Sequence, residues 1–123
     1  VEDCGTVINP QLVDEQIRGG IVQGIGAALF EHCLYDRDGQ LLNGNMMDYL
    51  VPMAGEMPDI DIGHVATPTA DSELGAKGAG EAGTAGAPGC VMNAVNDALR
   101  PLGAAPITTM PITPERVVAA LRS

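Results

Sequence analysis

Tryptophan is absent from the 123 residues, and Phe30, Tyr35 and Tyr49 are the only aromatics. A self-contained domain of this length usually buries more large anchors. The shortage therefore predicts a chain that leans on a larger body. Basic residues are also scarce, 6 against 16 acidic ones, for a net charge of −10. That balance argues against nucleic acid and anionic membrane surfaces as partners. No apolar run approaches the ~20 residues of a membrane span, and no signal peptide is legible. The expectation is a cytoplasmic chain without membrane insertion. Cys4, Cys33 and Cys90 are odd in number, widely spaced and without a C-x-x-C pair. This suits buried free thiols in a reducing compartment better than a disulfide framework or a zinc site.

Glycine and proline, by contrast, fill 25 of 123 positions. The glycines lie next to apolar periodic runs, which points to close backbone packing or ligand approach rather than disorder. They are densest from Leu74 to Gly86, where nine of thirteen residues are Gly or Ala. Into this bare loop one carboxylate is set, Glu81, with Lys77 four residues before it. A flexible linker would have such a composition. Gly78-x-Gly80-x-x-Gly83 matches the dinucleotide fingerprint only literally, since no buried strand precedes it. A Walker-type phosphate loop fails, because Lys77 is followed by Gly78 and not by Ser or Thr. A third reading is a catalytic acid in a loop whose amides hold a polar ligand.

The rest of the chain reads as one domain, 1–123, without repeats or a dividing linker. Val1 to Ile8 has the look of a strand end. Asn9 is a good helix cap, Pro10 fits the first helical position, and Asp14 and Glu15 suit the positive helix end. This helix is expected to run to about Cys33, with Val13, Ile17, Ile21, Ile25, Ala28 and Leu29 as its apolar stripe and His32 at its negative end. Gly19, Gly20, Gly24 and Gly26 interrupt it, each costing roughly 1 kcal/mol against Ala. Another backbone or a bulky cofactor close by would explain them. Gln23, among these glycines, either faces solvent, caps a neighbouring loop or meets that cofactor.

Tyr35 to Tyr49 predicts a hairpin turning at Asp38-Gly39. Asp59 to Val65 alternates polar and apolar residues, which predicts a half-exposed strand with His64 on its surface. Ala87, Val91, Ala94, Val95, Ala98 and Leu102 predict a second helix, with Thr84 as a cap and its N-terminus towards Glu81. Ala104 to Met110 is a strand candidate, and Thr113-Pro114-Glu115 opens a last helix with Val117, Val118 and Leu121 on its apolar side. Together these predict an α+β fold, helices packed on a small mixed or antiparallel sheet.

Four segments in order, Asp3 to Pro10, Gln16-Ile17-x-Gly19-Gly20-x-x-Gln23-Gly24-Ile25-Gly26, Asp48-Tyr49-Leu50-x-Pro52 and Lys77-Gly78-x-Gly80-Glu81, resemble one family. It is the molybdenum hydroxylases: xanthine dehydrogenase, aldehyde oxidoreductase and the aerobic carbon monoxide dehydrogenase large subunit. The resemblance covers nearly the whole chain and implies the C-terminal part of the molybdopterin-binding large subunit. It implies that Glu81 is the general base at the molybdenum centre, in an oxidation of a small molecule with water-derived oxygen. Gln23 and Gly24, with the backbone of Lys77, Gly78, Ala79 and Gly80, would contact the molybdopterin, in its cytosine dinucleotide form. The pterin holds the metal, so no protein ligand cluster is expected. FAD and 2Fe-2S clusters are implied on a medium and a small partner subunit. Carbon monoxide, aldehyde, purine and other N-heterocycle substrates all stay open. None of the three cysteines matches a catalytic loop of the family. The competing reading is a non-catalytic packing or interaction piece with a structural glycine loop.

Overall fold

The computed structural model describes residues 1–122. Helix α1 spans Pro10–Leu29, α2 spans Ala82–Leu99 and α3 spans Pro114–Arg122, with short 3-10 turns at Ala54–Glu56 and Arg100–Leu102. Asn9 caps α1 as its sequence predicts: the side-chain oxygen accepts from the Leu12 amide at 3.2 Å, and Pro10 follows at the first position. The helix stops four residues short of Cys33. The amides of Phe30 and Glu31 both turn onto the Gly26 carbonyl, at 2.9 and 2.8 Å, so His32 lies beyond the helix end. The start of α3 is also as predicted, with the Thr113 hydroxyl accepting from the Arg116 amide at 3.4 Å.

The expected sheet does not exist. Among the described residues only isolated bridges occur, Glu2 with His64, Gly5 with Ala76 and Tyr35 with Leu41. The fold is three helices joined by extended segments, and the α+β expectation is corrected to that. The 59–65 segment, expected as a strand, reaches only Glu2, whose amide donates to the Gly63 carbonyl and whose carbonyl accepts from the Val65 amide, each at 2.9 Å. The 104–110 segment is held by Asn96, whose amide nitrogen donates to the Ile107 carbonyl at 2.9 Å and whose oxygen accepts the Ile107 amide at 2.8 Å. The Tyr35 hairpin shrinks to one bridge around Gly39, because the Asp36 carboxylate takes the amides of Asp38 and Gln40, each at 2.9 Å.

Two helices form the frame. α1 and α2 run side by side in the same direction: Gln16 meets Gly80, Gly20 meets Thr84 and Gly24 meets Pro88. The seam is built of missing side chains. A Cβ on Gly83 would lie 2.7 Å from the Ile17 carbonyl oxygen and 2.9 Å from the Ile21 nitrogen, and one on Gly20 would lie 3.2 Å from the Thr84 nitrogen. The glycines of α1 are thus explained by a second backbone at Gly20 and Gly24, whereas Gly19 meets nothing within 4 Å.

A small core gathers where the C-terminal segment folds over this pair. Ile107, Ile112 and Ala120 are buried there, with Leu29, Met92, Val95, Leu99 and Val117 packed on them. The Ile112 amide donates to the Ala28 carbonyl at the end of α1, at 2.7 Å. No residue of α2 is fully buried. Of the cysteines only Cys4 is buried; Cys33 and Cys90 are exposed, against the expectation of three buried thiols. Among the described residues no helix is long and apolar enough to cross a membrane.

Candidate active site

The glycine loop is not a free linker, because its two ends are tied down. Upstream, the Lys77 amide donates to the Cys4 carbonyl at 2.7 Å, and its ammonium lies 2.9 Å from the Asp3 carboxylate. Asp3 also accepts the amides of Gly5 and Thr67, each at 3.0 Å. The Lys77 ammonium, then the Thr67 and Gly5 amides, hold the Asp3 carboxyl well below the usual carboxylate range. Gly5 has φ +66, and a Cβ there would sit 2.2 Å from the Gly75 carbonyl oxygen, so only glycine allows this docking.

Downstream, the Gln16 side-chain amide donates to the Gly80 carbonyl at 2.7 Å. One turn further on, the Thr84 hydroxyl lies 3.0 Å from the Gly20 carbonyl and 3.3 Å from the Gln23 side-chain oxygen. Thr84, expected as the cap of α2, therefore sits inside its first turn and ties that turn to α1. The capping position itself falls to Glu81.

Glu81 is an unusual cap, since Ser, Thr, Asp and Asn are the residues that fold back onto the first-turn amides. Its backbone does the work, the carbonyl accepting from the Ala85 amide at 3.0 Å. Its carboxylate makes no capping bond and has no hydrogen-bond or ion-pair partner among the described residues. The acid is exposed and uncommitted.

The loop fits a group that needs close backbone approach. Gly78 and Gly80 do not take positive φ, and a Cβ at either would meet nothing within 4 Å. Neither conformation nor packing inside this chain demands glycine there. The amides of Gly78, Ala79 and Gly80 also find no acceptor among the described residues. A strip of open amides beside a helix N-terminus suits an anionic or strongly polar ligand.

The structure brings Gln23, Thr84 and the Glu81 loop together at the start of α2. Gln23 is exposed there, with its oxygen towards Thr84. Gly24 is instead shut inside the helix seam, against Ala87 and Pro88, so its contact in this chain is with α2. Lys77 offers only its backbone, as its ammonium is spent on Asp3. Asp3 and Gln16 were not singled out by sequence; both lie within the recognised segments, but nothing along the chain marks a partner 64 residues away. His64 is a surface residue as expected, with its ring nitrogen 2.7 Å from Asp14. No group of three or more metal-ligating side chains occurs among the described residues.

The molybdopterin cofactor-binding domain family matches residues 1–58 of the chain. The nicotine 6-hydroxylase large subunit of Paenarthrobacter nicotinovorans is 48% identical over 122 residues, 99% of this chain and 15% of that protein. The carbon monoxide dehydrogenase large chain of Afipia carboxidovorans is 38% identical over 98 residues, 80% of this chain and 12% of that protein. The crystal structure of quinoline 2-oxidoreductase from Pseudomonas putida 86 superposes with a TM-score of 0.93 at 49% identity, over 99% of this chain and 15% of that one. The chain thus spans no more than about 15% of the length of these relatives.

Proposed function

This chain belongs to the molybdenum hydroxylase large subunits, and on that premise we propose that it supplies the general base of the active site, Glu81. The complete protein is then an oxidoreductase that oxidises a small molecule with water-derived oxygen, and residues 1–123 are a segment of the C-terminal part of its large subunit. The single observation that carries the assignment is the uncommitted carboxylate of Glu81, held at the start of α2 beside glycines that nothing in this chain requires.

A bound molybdenum–pterin group would supply the redox chemistry. The chain's own residues do three things. The open amides of Gly78, Ala79 and Gly80, with the Lys77 backbone, bind polar groups of the cofactor. The Gln23 side-chain amide, on the neighbouring turn, adds a donor and an acceptor. The Glu81 carboxylate oxygen takes the proton released as oxygen is transferred to substrate, a role that suits an acid not already engaged as an acceptor. Gly24 serves the same site by letting α2 lie close enough to α1 to bring its first turn beside Gln23.

The cytosine dinucleotide form of the cofactor, and partner subunits carrying FAD and 2Fe-2S clusters, complete the proposed assembly. Three unpaired thiols are consistent with a cytoplasmic place for it.

The test is Glu81→Gln in the complete enzyme. The variant should retain molybdenum and pterin and lose about 10²–10⁴-fold in kcat, since only proton transfer is removed. Turnover near the parent rate would end the assignment.

A further inference from the structure

Gly80 directly precedes Glu81, and its Cβ position, like that of Gly78, lies in open space. Glycine has the widest choice of backbone conformations, and no atom lies within 4 Å of where its Cβ would be. No packing at the Cβ position of Gly80 helps to hold the Gly80–Glu81 peptide plane. What holds it is one side chain: the Gln16 amide, donating to the Gly80 carbonyl at 2.7 Å across 64 residues of sequence. That carbonyl belongs to the peptide whose nitrogen is Glu81's own. Fixing its plane fixes the entry of the chain into Glu81, whose φ is −124°.

We infer that Gln16 is a positioning residue for Glu81, acting through the Gly80 carbonyl. The inference rests on the proposed role of Glu81 and goes beyond it in naming what aims the acid. Gln16 is one of a row of α1 residues that take hold of the start of α2. One turn on, the Gly20 carbonyl accepts the Thr84 hydroxyl at 3.0 Å; a turn after that, Gly24 admits Pro88. The helix seam sets where Glu81 is, and Gln16 sets which way the chain turns there. Lys77 cannot substitute for it. Its bonds to Cys4 and Asp3 lie upstream of Gly78, and two residues of open loop separate them from Gly80.

The experiment compares Gln16→Met, similar in length but without a donor, and Gln16→Glu, the same shape with only acceptors, in the complete enzyme. Molybdenum and pterin content, KM, kcat per bound molybdenum and deuterium exchange of the 74–86 segment are measured. The expected result is full cofactor content and an unchanged KM, with kcat per molybdenum down about 10–100-fold, the scale of a small misplacement of a reacting group. Exchange in the 74–86 segment should rise in both variants. Unchanged kcat and exchange would overturn the inference. So would loss of cofactor at unchanged kcat per molybdenum, which would make Gln16 a cofactor contact. If Gln16→Glu does not accumulate, Gln16→Met decides alone. Glu81→Gln is run beside them: if it keeps its rate, the base assignment falls. If it loses its rate while both Gln16 variants behave as the parent, only the positioning role falls.

Discussion

Gly24 on α1 lies so close beneath Pro88 on α2 that a methyl group added to the glycine would be 2.9 Å from the proline ring and 2.6 Å from the neighbouring Ala87 methyl. Pro88 lacks the amide that would bond the Thr84 carbonyl one turn back, and Gly24 faces that carbonyl too, at 3.2 Å from the same added methyl. The two helix-weakening residues meet each other. Their separate costs are offset by the contact that neither could make alone.

That contact makes a graded prediction. Gly83→Ala and Gly24→Ala should destabilise the chain by about 1–3 kcal/mol from overpacking, reduced by a helix-propensity gain of roughly 1 kcal/mol. Gly83→Ala should be the worse of the two, since its obstacle is the α1 backbone itself. Gly19→Ala, with open space around it, should instead stabilise by about 0.5–1 kcal/mol. Urea midpoints of the three variants give the order directly; equal shifts would deny the seam.

Acid unfolding tests the Asp3–Lys77 tie. The folded-state pKa of Asp3 is depressed below its unfolded value of about 3.9. Its contribution is therefore full above that value and is lost as pH falls towards the folded pKa. Asp3→Asn should be less stable than the parent at pH 7, and the gap should close as pH drops below about 3.9. A gap that stays constant from pH 7 to pH 2 would show that the carboxylate charge is irrelevant.

Tyrosine ultraviolet titration should single out Tyr49. Its hydroxyl donates to Glu31 at 2.7 Å, and that bond to a carboxylate, followed by burial and the Glu31 charge, pushes the phenol up to about 12. In a Tyr35→Phe background only this phenol remains. Glu31→Gln should bring its midpoint back towards about 10, the ordinary value. A midpoint that ignores the substitution would remove the pair from the structure in solution.

Asn96→Ala should cost about 1–3 kcal/mol, because both the amide and the carbonyl of the buried Ile107 lose their partner together. Thermal denaturation of the variant measures it. A loss no larger than that of a surface substitution would mean the 104–110 segment is held elsewhere.

Taken alone, the 123-residue chain should self-associate or bind the rest of its large subunit. Met47 is 92% exposed, and Met46, Leu50 and Met53, close to it in sequence, are exposed as well, apolar surface that water does not favour. Sedimentation velocity across a concentration series should show reversible growth; a well-behaved monomer at all concentrations would count against it.

The sequence by itself determined what local chemistry can determine. Asn9-Pro10 and Thr113-Pro114 place their helix starts because capping depends on residues a few positions apart, and the Leu74–Gly86 composition marks the loop because side-chain bulk is a property of each residue. It also carried the family, through segments whose order survives without any knowledge of contacts. The strands it suggested at 59–65 and 104–110 are absent because residue pattern records exposure, while a strand needs a continuous partner: 59–65 finds one bridge to Glu2, and Asn96 takes both backbone groups of Ile107. Only the tertiary structure decided why α1 tolerates Gly20 and Gly24, that Glu81 and not Thr84 takes the capping position, and that Gln16 reaches Gly80. Those facts depend on which backbones lie side by side, and proximity across 64 residues leaves no trace in the spacing of either segment.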